Sequence, residues 1–176
     1  MRLFIAVNFN DETKDRLHEI QEQLRSQSTN GNFTRRENLH LTLAFLGETP
    51  EEKLGHLIKI IDEVIINEIK PPPFEVCFNT TGCFTHGNKD LWWIGAERNT
   101  PGLSHLEAIH SRLIDRLSEE GFSVDRKPFS AHITIAREIT HKQKIILDRP
   151  DIVIGIDRIS LMKSEHIRGL LTYTEI

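Results

Sequence analysis

Cysteine is scarce in this chain. Cys77 and Cys83 are the only two among 176 residues. Their spacing fits neither a zinc ribbon nor a redox pair, so free thiols in a reducing compartment are expected. Long apolar runs are missing too, and nothing approaches the roughly 20 residues that a membrane-crossing helix needs. The opening MRLFIAVNFND has an apolar run too short for a signal-peptide core, with an acid close behind it. A cytoplasmic protein without a membrane segment is the expectation. There is also no excess of positive charge: 22 Lys and Arg against 26 Asp and Glu leave a net charge of −4. That excludes a broad basic field gripping long nucleic acid, but not a local pocket for one nucleotide or one RNA end. Low-complexity segments and short-period repeats are absent as well.

What remains is an ordinary globular composition, long enough for one domain with its own core. RLFIAVNF, Arg2 to Phe9, reads as a buried strand. Asn10 or Asp11 caps a helix carrying Leu17, Ile20 and Leu24 up to about Gln27, and STNGN ends it. NLHLTLAFLG alternates as a strand. Thr49 and Pro50 read as cap and first position of a second helix running to about Asn67. Lys70 to Pro73 is a connector and the best candidate for a lobe boundary. FEVCFNTTGCF and DLWWIGA form a hairpin around HGNK. A third helix opens at Pro101, shows one stripe of Leu103, Leu106, Ile109, Leu113 and Leu117, and ends at Gly121. SAHITIAR is a strand, the stretch from Thr140 to Leu147 reads as a short helix, and DIVIGIDRISLMKSE and LLTYTEI supply the last strands. The mixture predicts an α+β or α/β sandwich.

Two stretches of this pattern say the same thing. LHLTLAFLG, from Leu39, and AHITIAR, from Ala131, both contain His-apolar-Thr-apolar. On a strand, side chains two apart share a face. His40 and Thr42 therefore face one way and Leu41 and Leu43 the other; His132 and Thr134 oppose Ile133 and Ile135 in the same manner. If the strands lie side by side, two imidazoles and two hydroxyls meet. A pair of imidazoles can serve as general acid and general base near neutral pH. Threonine hydroxyls can donate to nonbridging oxygens as charge builds on them. A phosphodiester needs all four functions. A single H-x-T in a strand is more often a half-buried histidine; two copies with matching aliphatic partners are harder to dismiss, and the pattern alone leaves a shared site and a chance duplication both open. The other histidines are scattered, and His105 and His110 are not spaced to share a helix face.

The resemblance extends beyond these tetrapeptides. RLFIAV, ENLHLTLAFLGE, RKPFSAHITIAR and ISLMKSE with a late Gly and Tyr, in that order, resemble the two-histidine (2H) phosphoesterase superfamily, and within it the RNA 2′,3′-cyclic phosphodiesterase branch, also called the 2′-5′ RNA ligase family. The resemblance spans essentially the whole chain. It implies an α+β, bilobal fold over residues 1–176, with two pseudo-symmetric lobes of antiparallel sheet, helices outside and a central cleft. It implies that His40 and His132 are catalytic and that Thr42 and Thr134 bind phosphate. The histidine matching His132 activates water, the one matching His40 protonates the leaving 3′ oxygen, and a 2′-phosphate results. With an RNA 5′-hydroxyl in place of water, a 2′-5′ linkage forms. No metal and no organic cofactor is implied. The partners implied are RNA 3′ ends or oligonucleotides bearing a 2′,3′-cyclic phosphate, with no obligate protein partner, and a monomer is expected.

Two more residues match family positions. Phe45 corresponds to an aromatic used against the terminal base, and Arg137 completes H-x-T-x-x-R where a guanidinium can meet phosphate. Strict alternation instead puts both on the aliphatic face of their strands, unless the strands bulge. Arg35 and Arg36 could form a basic lip, but solvated loop charges are the commoner case. One of Trp92 and Trp93 should pack inside and the other face out, and Lys163 or Ser164 could reach the cleft. Departures from relatives are Ala131 for a frequent proline and Phe33 for a frequent tryptophan; both bear on substrate preference. Rival readings are a 2H phosphodiesterase acting on 2′-5′ oligonucleotides or small cyclic nucleotides, a non-catalytic RNA-end binding protein, and a structural domain with chance motifs.

Overall fold

The computed structural model describes residues 1–69 and 72–176. Of the Lys70 to Pro73 connector, Lys70 and Pro71 therefore lie outside the described residues. The elements in chain order are β1 (Arg2–Asn8), α1 (Asp11–Gln27), β2 (Asn30–Phe33), β3 (His40–Glu48), α2 (Leu54–Glu68), β4 (Phe74–His86), β5 (Lys89–Ala96), α3 (Pro101–Glu119), β6 (His132–Thr140), β7 (Ile152–Ile156), β8 (Ser160–Ile167) and β9 (Leu170–Glu175).

The strands form two antiparallel sheets, ordered β3-β1-β8-β9 and β2-β6-β5-β4-β7. This is the mixed α+β architecture the sequence predicts. Chain order and sheet membership are interleaved: β2, from the N-terminal part, pairs with β6, while β8 and β9 return to β1. A single boundary near residues 70–73 does not separate the two sheets, because each recruits strands from both sides of it. One hydrophobic cluster runs through both sheets and all three helices, including Ile5, Leu17, Leu41, Leu57, Leu106 and Ile133.

The local chemistry explains most boundaries. Asn10 caps α1, its Oδ1 accepting from the Thr13 amide at 2.8 Å. Thr100 caps α3 through the Leu103 amide, with Pro101 in the first turn, and all five leucine and isoleucine positions of the α3 stripe are buried. The hairpin between β4 and β5 turns at Gly87 with φ +63°, a conformation open to glycine.

Three expectations need correction. Thr49 does not cap α2: a 3-10 turn over Glu51–Lys53 intervenes, and the Thr49 amide instead donates to the Met1 carbonyl. Asn30–Phe33 is not merely a helix terminator but the edge strand β2; its Asn-Gly-Asn start carries no alternation that would reveal it. The stretch after Thr140 is irregular rather than helical. The first 140–147 residue belongs to β6, and the remainder is held by two glutamines of α1. The Gln27 amide donates to the Ile146 carbonyl at 2.8 Å and its Oε1 accepts the Ile146 amide at 2.9 Å. The Gln23 Oε1 accepts the Asp148 amide in the same way. Side chains thus satisfy backbone groups that a helix would have paired internally.

Candidate active site

β3 and β6 line one cleft of about 720 Å³ between the two sheets, and His40, Thr42, His132 and Thr134 all open onto it. Their local construction is the same. Leu41 and Ile133 are fully buried, while the histidine and threonine on either side of each remain part-exposed.

Each copy then departs from alternation at the same place. In the β1–β3 pairing, Ala6 faces Thr42 and Ile5 faces Ala44, leaving Leu43 as an extra residue. In the β5–β6 pairing, Trp93 faces Thr134 and Trp92 faces Ala136, leaving Ile135 extra. A bulge shifts the side-chain phase by one position. Leu43 and Ala44 are therefore both buried, as are Ile135 and Ala136. Phe45 and Arg137 swing to the cleft side and line it. Phe45 is 62% exposed, so the placement by strict alternation is overturned for both residues. The β6 bulge is supported from behind: the Ile135 carbonyl accepts from the Thr34 amide at 2.9 Å and from the buried Gln21 amide at 2.8 Å.

The histidines share one orientation device. His40 Nδ1 lies 2.7 Å from the Asn38 carbonyl, and His132 Nδ1 lies 2.8 Å from the Ser130 carbonyl. A carbonyl can only accept, so Nδ1 carries the hydrogen in both rings and Nε2 is the lone-pair nitrogen of the neutral form. For His40, that Nε2 accepts from the Thr42 hydroxyl at 2.8 Å.

The surroundings differ. His40 packs against Phe4 and Tyr173, with ring centroids at 4.9 and 5.2 Å, and those two rings also touch each other. Burial pushes its pKa below the ordinary histidine value, opposed by the Asn38 carbonyl and reinforced by the Arg137 guanidinium. Among the described residues the aromatic neighbour of His132 is Phe84, nearly perpendicular to it at 6.2 Å between centroids. Phe4, Phe84 and Tyr173 are cleft residues that the motif reading did not single out. Phe4 lies on β1 two positions from Ala6 and shares its face, a signal present in the sequence; Phe84 and Tyr173 depend on which strands become neighbours.

The weaker candidates sort cleanly. Ser164 lines the cleft, whereas the Lys163 ammonium is engaged by Glu165 at 2.8 Å. Arg36 is bound to Asp15 and Asp11. Arg35 reaches Glu37 and the Leu171 carbonyl. Neither forms a basic lip. Trp92 is buried and Trp93 is half-buried, packed over Gly82 and Gly95 where a Cβ would collide with its ring. Phe33 carries the Arg25 guanidinium at 3.9 Å, and Ala131 is buried at the entry to β6. Cys77 and Cys83 are free thiols. Among the described residues, no three His, Cys, Asp or Glu side chains cluster as a metal cage, and no helix is long and apolar enough to cross a membrane.

Comparison with known proteins identifies the family. The curated RNA 2′,3′-cyclic phosphodiesterase of Thermotoga maritima is 34% identical over 171 residues, covering 93% of this chain and 87% of the relative. The enzyme of the same name from Archaeoglobus fulgidus is 33% identical, covering 78% and 72%. Among solved structures, Escherichia coli LigT complexed with 3′-AMP superposes with a TM-score of 0.80 at 25% identity, covering 99% of this chain and 94% of that one. TT0787 of Thermus thermophilus gives 0.78 at 27%, covering 100% and 95%. The model of the 2′-5′ RNA ligase superfamily matches residues 9–168. With the doubled H-x-T strands facing one cleft and a family match over nearly its full length, the chain belongs to the 2′-5′ RNA ligase superfamily.

Proposed function

We propose that this chain hydrolyses an RNA-terminal 2′,3′-cyclic phosphate to a 2′-phosphomonoester by metal-independent two-histidine catalysis, acting in the cytoplasm as one bilobal, monomeric domain. The observation that carries the reading is the pair of imidazoles on one cleft, both fixed by a backbone carbonyl at Nδ1 and each beside a threonine two residues on. The relatives named RNA 2′,3′-cyclic phosphodiesterase support the substrate class.

In this mechanism His132 and His40 are the catalytic base and acid. The lone pair of His132 Nε2 takes a proton from water as the water oxygen bonds to phosphorus. The P–O3′ bond breaks, and O3′ takes the proton from His40 Nε2–H. One water is consumed, and the proton gained by His132 is returned to solvent as His40 is reprotonated. Thr42 and Thr134 donate to the nonbridging oxygens, where charge accumulates; Thr42 turns its hydroxyl from His40 to do so. Burial makes His40 a stronger acid than a free imidazolium, and the phosphodiester anion favours the charged ring once it is in place. Phe45 stacks on the terminal base and Arg137 meets phosphate. An RNA 5′-hydroxyl in place of water gives 2′-5′ ligation by the same displacement, with hydrolysis dominant in water.

The test is to incubate the purified protein, in excess EDTA, with a short RNA ending in a 2′,3′-cyclic phosphate and to identify the product isomer. A 2′-phosphate is expected. A 3′-phosphate would mean that O2′ leaves instead, and no product would transfer the site to 2′-5′ oligonucleotides or to RNA-end binding. A rate restored only by a divalent ion would sink the metal-free mechanism.

A further inference from the structure

Asn38 stands outside the cleft, yet it joins three parts of the molecule. Its side chain is among the few buried polar groups of the chain, 6% exposed. Nδ2 donates to the Leu171 carbonyl at 2.9 Å, and Oδ1 accepts the Tyr173 amide at 3.4 Å. Both backbone groups lie on β9, which ends its sheet and has only β8 as a strand neighbour. The asparagine amide thus does for β9 what one peptide unit of a further strand would do, offering a donor and an acceptor in the same pair. Its own carbonyl is the group that accepts from His40 Nδ1 at 2.7 Å. Tyr173, fixed through its amide, presents its ring edge-on to His40. The second copy has no counterpart: Ser130 occupies the equivalent position and is exposed.

We propose that Asn38 is a positioning residue that fixes the His40 imidazole as its Nδ1–H tautomer by anchoring the preceding carbonyl to the free edge of β9. The catalytic consequence rests on the two-histidine reading above. Without the anchor, the Asn38 carbonyl and the Tyr173 ring lose their common support. The neutral ring then exchanges tautomers and spends part of its time with Nδ1, rather than Nε2, bare, and the charged ring loses the carbonyl that holds Nδ1–H and aims Nε2–H at the leaving oxygen. Asn38 does not line the cleft, so substrate binding changes less than turnover.

The experiment uses the full chain with 15N-labelled histidine. The ring nitrogens of His40 are read in the absence of substrate, at a pH where the ring is neutral, in the wild type, Asn38→Ala and Asn38→Asp. The aspartate is isosteric and keeps the acceptor for Tyr173, but it sets an acceptor against the Leu171 carbonyl. It tests the same link should the alanine variant fold poorly. The wild type is expected to show a protonated Nδ1 and a bare Nε2, and both variants a mixture. In steady-state assays on a cyclic-phosphate RNA, kcat is expected to fall roughly 10–100-fold, by analogy with the loss of a group that orients a metal-bound imidazole, with KM within about threefold. An unchanged tautomer in the folded variants overturns the proposal even if kcat falls, since the asparagine would then be only a structural tie. A changed tautomer in a protein whose wild type hydrolyses no cyclic phosphate leaves the positioning role standing and removes the proposed reaction.

Discussion

β3 and β6 carry the same phrase with the same bulge, but they occupy unlike places. β3 is an edge strand, paired only with β1, while β6 lies between β2 and β5. His40 packs against Phe4 and Tyr173 and is backed by a buried asparagine; His132 takes its Nδ1 partner from Ser130, an exposed residue two positions before it, and has Phe84 as its aromatic neighbour among the described residues. Conversely, the bulge in β6 is pinned by Gln21, whereas that in β3 sits at a sheet edge. The duplicated motif therefore sets matching orientations, and its surroundings enclose the two rings unequally. An acid and a base have different tasks and are served better by unlike surroundings.

The strongest way to break the comparison is to remove one histidine at a time. His40→Ala and His132→Ala are each expected to lower kcat by about 10²–10⁴-fold, checked by single-turnover hydrolysis, and the double variant to be little worse than either single one. Retained turnover in one of them would mean the two copies do not act as a pair. Next, Thr42→Val and Thr134→Val should each cost about 10²-fold in kcat. A much smaller effect at Thr134 would assign the phosphate mainly to the first copy.

The post-bulge positions sharpen the contrast further. Phe45→Ala should weaken RNA binding by about 1–3 kcal/mol and leave the melting temperature unchanged, because the ring is largely exposed. Arg137→Gln should raise the His40 pKa, by removing a nearby positive charge, as followed by NMR titration. Gln21→Leu strips the Ile135 and Thr34 carbonyls of a buried donor and should destabilise the fold by about 1–3 kcal/mol, measured by denaturant unfolding. The smallest effect is a pH slope. Burial keeps His40 below its ordinary value of about 6.5, so the unfolded chain binds a proton there that the folded chain declines. Stability should therefore fall as pH drops through about 6.5 toward the folded-state pKa and be fully present above it. His40→Leu should flatten that part of the curve relative to the wild type.

The strands bearing His40 and His132, the helical stripes and the helix starts at Asn10 or Asp11 and at Pro101 were legible because they depend on local periodicity and local hydrogen bonds. Phe45 and Arg137 were misplaced by periodicity alone: the bulge after each threonine is defined by pairing with β1 and β5, which no single strand records. The two leucine-alanine and isoleucine-alanine steps, LA in one copy and IA in the other, are its trace in the sequence. β2 escaped notice because its face is set by β6 rather than by its own alternation. The irregular stretch after β6 escaped because its backbone partners come from Gln23 and Gln27, more than a hundred residues away. Asn38 and Tyr173 illustrate the same limit, since their meeting depends on the last strand returning to the first sheet.

That return has a consequence for how the molecule is made. β1 emerges first during synthesis, yet its partner β8 and the wall formed by β9 come last, while β2 must wait for β6. β1 can pair with β3 early, but closure over the longer separations is slow, so its other edge, and β2, remain unpaired until β8 and β6 are available. Neither sheet can be completed on the nascent chain by its own N-terminal part. A ribosome that stalls before residue 170 would release a chain holding both histidines in its sequence, but with no β9 against which to set the first of them.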